Sequence, residues 1–423
     1  MTENAAMNRG QVIELDITRM AHGGEGIGFA PDGRVVFVGG SLPGERVRAE
    51  ITRAKKRWAR ARLVEVAEPS PLRVEPACPA AARGAGCCDF SHVEPSAQLG
   101  LKHEVILGQL GALAGRSGVL DGFDPNLELA GCQLQPTAGW RTRVRLGVDT
   151  HGRAGTRMSR SNELVTGVAC AQAAEGLLDG IVGEGARSFT PGAEVVAVLD
   201  SRGERHVVET TRAQRGRRVE SIDTVVEGTG TVTQDVGGRT FTFPATAFWQ
   251  AHVEAPAAYA RIVEKWGSAT YARRVGWDLY GGVGVFVPSI DAAIGGGHVD
   301  TVDYSPAANT PQEALAGLDV GRHNRKVESG VGDLAAPGLV VLDPPRSGAG
   351  EEVVNAVAAA APERVIHVGC DPATFARDLG TWGERGYRVT RMELIDAFPG
   401  THHFETVALL APAGAAATGR DSY

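Results

Sequence analysis

Cysteine, aromatic residues and long apolar runs are all scarce in this chain. Six cysteines among 423 residues are too few for a disulfide scaffold, and such usage fits a reducing cytoplasm. No apolar run approaches the ~18 residues of a membrane-spanning helix. The polar start at Met1–Asn4 lacks the charged and apolar regions of a signal peptide. We therefore expect a cytoplasmic protein without membrane attachment, long enough for two or three domains.

Positive charge is also in deficit overall, but it is concentrated in one segment. The formal net charge of −7 argues mildly against a nucleic-acid partner. Between Arg46 and Arg62, however, eight basic residues stand against a single glutamate, a local excess of seven positive charges. Cations for phosphates and an aromatic ring for base stacking suit a single-stranded nucleic acid, although a solvated face is the alternative. The candidate RNA-binding residues are Arg53, Lys55, Lys56, Arg57 and Trp58.

Strand and helix patterns divide the chain into three parts. Residues 9–68 show short alternating strands separated by glycine turns, which predicts a small OB-like β-barrel. A proline-rich linker follows, and residues 69–250 have a mixed α+β pattern. From 251 to 412, strands alternate with helices, which is typical of a doubly wound parallel sheet. The predicted fold class is therefore α/β with an amino-terminal barrel.

Cys370 occupies a position that favours a functional role. It follows the apolar run Val365–Val368, which predicts a buried strand. Open α/β sheets bind their ligands at the carboxyl ends of strands. Two more strand ends carry polar or glycine-rich signals, at residues 278–284 and 343–346. A cysteine used only for packing is the alternative, and the neighbouring signals argue against it.

The glycine-rich strand end predicts a nucleoside site. Gly281, Gly282 and Gly284 allow the backbone to approach a ligand closely, and Asp303 lies 19 positions after Gly284, where it can bind ribose hydroxyls. Val287 stands where a dinucleotide fingerprint has its third glycine, which disfavours NAD. A structural turn remains the alternative for the glycines alone.

These motifs, with Phe248–His252 upstream and His402–Glu405 downstream, resemble the RNA uracil-5-methyltransferase family in their order. Residues 9–68 are similar to its RNA-binding TRAM domain. The resemblance implies S-adenosylmethionine as the methyl donor and a class I (Rossmann-like) methyltransferase domain over 251–412 with an antiparallel edge. It also implies 5-methyluridine formation in tRNA or 23S ribosomal RNA. We expect the protein to act as a monomer.

The resemblance also implies roles for particular residues. Cys370 is the nucleophile that adds to the uracil ring, and Glu405 is the base that later removes the proton from carbon 5. Asp371 replaces the asparagine that usually follows the nucleophile, and Asp303 replaces a glutamate; neither change removes a group that the chemistry needs. The implied cofactor-binding residues are Gln250, Tyr280, Asp303, Asp333 and Asp343.

Four further cysteines correspond to ligands of the 4Fe–4S cluster that many family members bind. The spacing is irregular, because Cys87 and Cys88 are adjacent where the family has Cys-Gly-Gly-Cys. Adjacent cysteines have difficulty reaching two irons of one cubane, so we expect no stable cluster, with buried thiols as the alternative to a cluster. Cys132 matches no ligand position. The candidate metal ligands are Cys78, Cys87, Cys88 and Cys170.

Two other functions are considered. A non-catalytic RNA-binding protein on the same fold would be favoured by loss of Cys370 or Glu405, but both are present. A methyltransferase acting on another pyrimidine is a second alternative. RNA cytosine-5 enzymes usually carry a Pro-Cys nucleophile motif, and Cys370 follows a glycine instead.

Overall fold

The amino-terminal part of the chain forms a closed five-stranded β-barrel. The structure, a computed structural model, describes residues 7–113, 117–216 and 218–414. Apolar side chains alternate along the strands, and those pointing inward, such as Val36, fill the barrel. This confirms the predicted small barrel. Its strands are β1 (Val12–Met20), β2 (Glu25–Phe29), β3 (Val35–Gly39), β4 (Arg46–Ala54) and β5 (Trp58–Glu68).

The middle of the chain begins with helices and continues into an antiparallel sheet. The first elements are α1 (Pro79–Ala82), α2 (Pro95–Gly111), α3 (Pro125–Glu128) and β6 (Ala130–Gln133). The six-stranded sheet has the order β12-β11-β10-β7-β8-β9, beside a separate β13-β14 hairpin. These strands are β7 (Arg143–Val148), β8 (Ala154–Arg157), β9 (Leu164–Thr166), β10 (Glu194–Leu199), β11 (Arg205–Arg215), β12 (Arg218–Glu227), β13 (Thr231–Val236) and β14 (Arg239–Pro244).

The carboxyl-terminal part is built on an eight-stranded sheet with the order β17-β16-β15-β18-β19-β21-β20-β6. Its strands are β15 (Val275–Leu279), β16 (His298–Asp303), β17 (Asp319–Asn324), β18 (Leu339–Leu342), β19 (Arg364–Gly369), β20 (Tyr387–Asp396) and β21 (Glu405–Pro412). β21 runs antiparallel to both neighbours, and the other pairings are parallel. This confirms the doubly wound sheet and its antiparallel carboxyl-terminal strand, although β20 and β6 lie beyond β21 at that end of the sheet. The edge strand β17 escaped prediction because it contains no apolar run.

Helices cover both faces of this sheet and bury it on each side. Val341 packs in the core on one face, and its neighbour Val340 packs on the other. Strands buried on both faces need continuous apolar runs, which is why β18 has the sequence Leu-Val-Val-Leu. The helices are α4 (Ala255–Gly267), α5 (Val287–Ala293), α6 (Val327–Gly330), α7 (Gly350–Ala359) and α8 (Pro372–Glu384), with 3-10 turns at Pro306–Asn309 and Glu313–Leu315.

One element of the middle segment joins the carboxyl-terminal sheet. β6 pairs in parallel with β20, with Cys132 opposite Ile395. Helix α2 contacts α8, so residues between 95 and 133 extend the sheet and its cover. The domain bounds 9–68, 69–250 and 251–412 stay a prediction. In the structure, β6 from the second of these ranges pairs with β20 from the third. Among the described residues, no helix is long and apolar enough to cross a membrane.

Candidate active site

Cys370 and Glu405 come together at the carboxyl end of β19. Gly369 pairs with Thr406 across the antiparallel strands β19 and β21, so the next pair in this register is Cys370 with Glu405. Side chains directly opposite each other in such a pair point to the same face of the sheet. Glu405 is buried, and Cys370 is half-buried just before α8. The fold thus joins the predicted nucleophile and base.

Burial and neighbouring charges hold both groups in their protonated forms. Burial, together with the charges of the Glu405 and Asp343 carboxyls, raises the pKa of the Cys370 thiol to about 12, and the Arg346 guanidinium opposes this rise. Burial, with the Asp343 charge, also raises the pKa of Glu405 well above its ordinary range. The pKa of Asp343 rises to about 7 through burial. A carboxylate with a raised pKa is a stronger base once it has lost its proton.

Two buried polar atoms in this region are unpartnered. Glu405 Oε2 and the Tyr259 hydroxyl find no hydrogen-bond partner within the described part of the chain. Burial raises the pKa of Tyr259, and the Glu405 charge is the next largest contribution. Buried polar groups are normally hydrogen-bonded, so these atoms are suited to meet a substrate. Sequence reasoning missed Tyr259 because it lies in an ordinary amphipathic pattern on α4.

The loop after β15 is shaped by its glycines. A Cβ atom on Gly281 would lie 2.3 Å from Asp278 Oδ2, and Gly282 has a φ of +57°. Tyr280 also has a positive φ of 64°, which is uncommon outside glycine and often marks a functional loop. The Gly282 amide donates a hydrogen bond to Asp303 Oδ2 at 3.1 Å. The glycines therefore let this loop pack closely against the side chains at the strand end, and the Asp303 hydrogen bond fixes its position.

Three carboxyl groups meet at these strand ends. Asp278 is buried, and burial raises its pKa to about 7, with smaller contributions from the charges of Asp303 and Asp343. Its Oδ1 atom has no hydrogen-bond partner among the described residues. Concentrated negative charge attracts a cationic ligand, and S-adenosylmethionine carries a sulfonium and an ammonium group. The glycine cradle and the orphaned oxygen therefore fit this cofactor. Sequence reasoning assigned Asp278 no role.

The other two predicted cofactor residues lie away from the strand ends. Gln250 is half-buried in the loop before α4. His252 anchors this loop by donating a hydrogen bond to the Pro136 carbonyl at 3.1 Å and by stacking on Trp140. The Asp333 side chain is 84% exposed and pairs with Arg325 at 3.5 Å. The cofactor roles of Gln250 and Asp333 stay predictions.

The loop that leads into β21 is held by a chain of polar contacts. Asp89 accepts a hydrogen bond from the His402 amide at 2.9 Å and another from His402 Nδ1. The rings of His402 and His403 lie 3.9 Å apart, and Arg346 donates to His403 Nε2 at 3.2 Å. Burial lowers the pKa of His403 to about 3, with help from His402 and Arg346, so this ring stays neutral and accepts. The loop connects the Asp89 region to the groups around Cys370.

The barrel touches the residue that follows Cys370. His22, in the β1–β2 turn, lies 2.8 Å from Asp371 through its Nε2 atom. Asp371 caps α8 by accepting hydrogen bonds from two backbone amides of its first turn. The same turn packs on the neighbouring loop, since a Cβ on Gly24 would meet His402 at 2.8 Å. No local pattern in the sequence indicated this contact.

Comparisons with known proteins identify the family of the chain. The TRAM domain family matches residues 7–64, and the tRNA (Uracil-5-)-methyltransferase family matches residues 320–412. An uncharacterized RNA methyltransferase of Corynebacterium glutamicum is 49% identical, covering 97% of this chain and 99% of the relative. Another, from Streptomyces coelicolor, is 35% identical, with 96% and 93% covered. The chain belongs to the RNA uracil-5-methyltransferase family. It is a methyltransferase that uses S-adenosylmethionine.

A solved structure shares the fold of this methyltransferase. The crystal structure of Pyrococcus abyssi tRNA (uracil-54, C5)-methyltransferase in complex with S-adenosyl-L-homocysteine superposes with a TM-score of 0.68. The match covers 94% of this chain and 100% of that chain at 19% sequence identity. At this identity the likeness establishes the common architecture, barrel included.

The basic run of the methyltransferase forms a smaller positive patch than its sequence predicts. Half of its eight cations are paired with carboxylates, several of which lie on other strands or beyond the run. The expected excess of seven positive charges is therefore too high as a description of the surface. The ion pairs join Arg46 to Asp16 and Glu68, Arg48 to Glu65, Arg60 to Glu25, and Arg62 to Glu50.

The remaining cations lie on the β4–β5 hairpin. The hairpin patch, as we call it, comprises Arg53, Lys55, Lys56, Arg57 and Trp58. Its four basic side chains are exposed and have no ion pair within the described residues. The Arg53 guanidinium lies 5.5 Å from the Trp58 ring centroid, and Phe37 supports that ring from its edge. The five predicted RNA-binding residues thus share one hairpin.

The four candidate metal ligands of the methyltransferase converge. The sulfurs of Cys78, Cys87, Cys88 and Cys170 all lie within 4.8 Å of one another, with Cys88 and Cys170 3.2 Å apart. The adjacent cysteines therefore reach one common point. Hydrogen bonds from the other three thiols, Cys170 first, lower the pKa of Cys78. Cys132 lies elsewhere, on β6, and burial raises its pKa to about 12.

Proposed function

We propose that the methyltransferase transfers a methyl group to carbon 5 of a uridine in tRNA or large-subunit ribosomal RNA, through a covalent bond between Cys370 and the uracil ring. The observation that carries this proposal is the register of β19 and β21. It sets Cys370 opposite Glu405, whose Oε2 atom is buried without a partner. A nucleophile beside an unengaged base is what this two-stage reaction requires.

In the first stage, the Cys370 thiolate forms a bond to carbon 6 of uracil. The electron pair of the 5,6 double bond moves into the ring, so carbon 5 becomes nucleophilic. S-adenosylmethionine, when bound, supplies an electrophilic methyl group, which carbon 5 takes up. Arg346 and the amino terminus of α8 favour the thiolate, whereas burial and the carboxyls oppose it.

In the second stage, the Glu405 carboxylate takes the proton from carbon 5. The electron pair of that bond restores the 5,6 double bond, the bond from carbon 6 to Cys370 breaks, and the sulfur leaves as thiolate. The methyl group has then replaced one hydrogen, which Glu405 passes to solvent. The raised pKa of Glu405 supports this role because it makes the carboxylate a stronger base.

Other parts of the chain bind the reactants in this proposal. Residues 251–412 bind S-adenosylmethionine at the strand ends, with Asp303 toward its ribose hydroxyls. Residues 9–68 bind RNA through the hairpin patch, and residues 69–250 contribute to RNA selection. The proposed cofactor contacts are those of Gln250, Tyr280, Asp303, Asp333 and Asp343.

A 4Fe–4S cluster is not part of this proposal. A cubane touches each thiolate through a different iron, so its own irons and sulfides separate the four cysteine sulfurs. The sulfurs of Cys78, Cys87, Cys88 and Cys170 all lie within 4.8 Å of one another, which is closer than the ligand sulfurs of a cubane cluster. The close spacing supports a methyltransferase without a cubane, and no reaction step involves these residues.

Replacement of the base tests the covalent mechanism. In Glu405→Gln, methyl transfer can proceed but the release of Cys370 should stall, so a protein–RNA adduct should accumulate on a denaturing gel with labelled RNA. The double variant Cys370→Ala/Glu405→Gln should form none, although its affinity for S-adenosylmethionine should stay within a few-fold. Normal turnover by Glu405→Gln would show that another group is the base. Turnover by Cys370→Ala would exclude the covalent route.

The RNA itself can be identified separately. Mass mapping of 5-methyluridine in tRNA and ribosomal RNA from a deletion strain should show one site that loses its methyl group. Complementation with Cys370→Ala should leave that site unmethylated. An unchanged 5-methyluridine map would favour an RNA-binding role or another pyrimidine.

A further inference from the structure

We propose that Cys78, Cys87, Cys88 and Cys170 bind one Zn²⁺ ion in a closed structural site. The proposal does not depend on which uridine the enzyme methylates, since it concerns a site outside the reaction. Four cysteines are a common complete ligand set for structural zinc. A closed set leaves no position for substrate or water, which excludes a catalytic metal here.

Spacing of the sulfurs is the first argument for a single ion. Zinc binds thiolates at about 2.3 Å in a tetrahedron, which places neighbouring sulfurs about 3.8 Å apart. Cys88 and Cys170 have their sulfurs 3.2 Å apart, and all pairs lie within 4.8 Å, so small shifts would place the four sulfurs around one ion. Cys87 and Cys88 can both bind because one ion requires only that they reach a common point.

The surroundings of the sulfurs are the second argument. The Ala171 amide donates a hydrogen bond to Cys78 Sγ at 3.5 Å, and such contacts stabilise metal-bound thiolates. The rest of the enclosure is apolar, with Val165 and Ala85 buried and Met158 packed against them. Thiolates without a cation would be costly in this setting. A divalent cation bound to all four sulfurs offsets part of that cost through its charge and its bonds to sulfur.

Cys170 lies far from the other three cysteines in the sequence, so a metal bound to all four would link two distant segments of the chain. Backbone hydrogen bonds already join this loop to the β8–β9 hairpin, from the Gly86 amide to the Arg157 carbonyl and from the Ser159 amide to the Gly84 carbonyl. A shared ion would add a bond between Cys88 and Cys170, which are separated by 82 residues. Closing so long a loop restricts the unfolded chain strongly.

The same site supports the loop that carries the proposed base. Asp89 directly follows the ligand Cys88 and holds His402, three residues before Glu405. The Phe90 amide also donates to the Gly400 carbonyl at 3.0 Å. Zinc at Cys88 would therefore fix the Asp89 segment and, through it, the approach of the loop to β21. Its effect on catalysis is one of positioning.

Metal analysis of the full-length protein tests the proposal without any activity measurement. Protein expressed with both iron and zinc available, and purified anaerobically, should be colourless and contain about one zinc per chain without inorganic sulfide. After exchange, Co²⁺ should give the absorption bands of a tetrahedral tetrathiolate site. Stoichiometric iron with sulfide would overturn the proposal in favour of a cubane. A metal-free, folded protein would overturn it as well.

Matched cysteine variants test the ligand set. Cys170→Ser should lose zinc and unfold at a lower temperature, whereas Cys132→Ser, which changes a thiol outside the site, should keep its zinc. Because Cys170 is buried and its variant can fail to fold, the half-buried Cys87→Ser provides a second test. Full zinc content in both Cys170→Ser and Cys87→Ser would overturn the assignment. So would loss of zinc from Cys132→Ser.

Discussion

At the residue scale, the chemistry of the site depends on the ionisation of Cys370. Burial and the charges of Glu405 and Asp343 raise its pKa to about 12, while Arg346 lowers it. In the proposed reaction the thiolate is the nucleophile, so activity should grow as the pH rises toward that value. A cation that enters the site favours the thiolate in the same way as Arg346.

Removal of Arg346 should therefore lower the rate throughout the pH range below the pKa of Cys370. In Arg346→Ala, the pKa of Cys370 rises further and less thiolate is present at neutral pH. The value of kcat/KM there should fall about tenfold each time that pKa increases by one. The fold-loss should be the same from about pH 7 to pH 9.5, because both proteins are then well below the pKa of Cys370, which is about 12 in the wild type.

Arg346→Lys is the control, since it keeps the positive charge near the thiol. Profiles of kcat/KM from about pH 7 to pH 9.5 would compare the three proteins. A loss in Arg346→Lys as large as that in Arg346→Ala would show that Arg346 acts by contact, for example through His403, rather than through its charge on Cys370.

At the element scale, the β4–β5 hairpin carries two groups of basic side chains, one without ion pairs in the described residues and one paired with carboxylates. The hairpin patch projects its basic side chains into solvent beside Trp58, while Arg46, Arg48 and Arg62 on the same two strands are paired with carboxylates. Paired surface cations have less charge available for phosphates. The difference provides a matched comparison on one barrel.

Neutralising Arg53, Lys55, Lys56 and Arg57 to glutamine should weaken RNA binding and flatten its salt dependence. Each lost phosphate contact should lower the slope of log K against log salt by about 0.7 for single-stranded RNA, or about 0.9 for a duplex. The control changes Arg46, Arg48 and Arg62 to glutamine and should alter the slope less. Equal slopes for the wild type and the patch variant would make the patch a solvated face.

At the scale of the whole molecule, the barrel is coupled to the reaction site. His22 contacts Asp371, and Arg160 of the middle region pairs with the buried Glu25 of the barrel at 2.6 Å. The β1–β2 turn thus lies beside the start of α8. In the proposed function, one set of contacts would orient both the RNA on the barrel and the uridine at the reaction site.

His22→Ala should slow methylation of RNA by about threefold to tenfold, which corresponds to about 1 kcal/mol for one hydrogen bond. Affinity for S-adenosylmethionine should be unchanged, because the strand ends around Gly281 and Asp303 make no contact through His22. The control is His151→Ala, at an exposed turn. Equal rates in all three proteins would show that the barrel acts as an independent tether.

Local patterns in the sequence determined the elements and the central chemistry. Alternating apolar residues mark the barrel strands, and continuous apolar runs mark the buried strands of the sheet, because backbone geometry and burial impose those periods. Cys370 and Asp303 were predicted as site residues because the carboxyl ends of parallel strands meet at one edge, and the family resemblance added the role of Asp343. Glu405 was found by its place in a family motif.

The tertiary structure alone decided which distant residues meet. Asp89 and His402 are 313 residues apart, and the carboxylate partners of Arg46 lie on other strands or at the end of β5. Tyr259 and Asp278 show no local sign of their unpartnered atoms. The period of the apolar residues predicts which face of a helix or strand a residue lies on. Which distant residue it contacts depends on how the segments connect and pack, and a short stretch of sequence does not contain that information. For that reason the sequence predicted an RNA uracil-5-methyltransferase. Only the fold showed that, among the described residues, the unpaired cations of the basic run are confined to the hairpin patch and that four cysteine thiols converge.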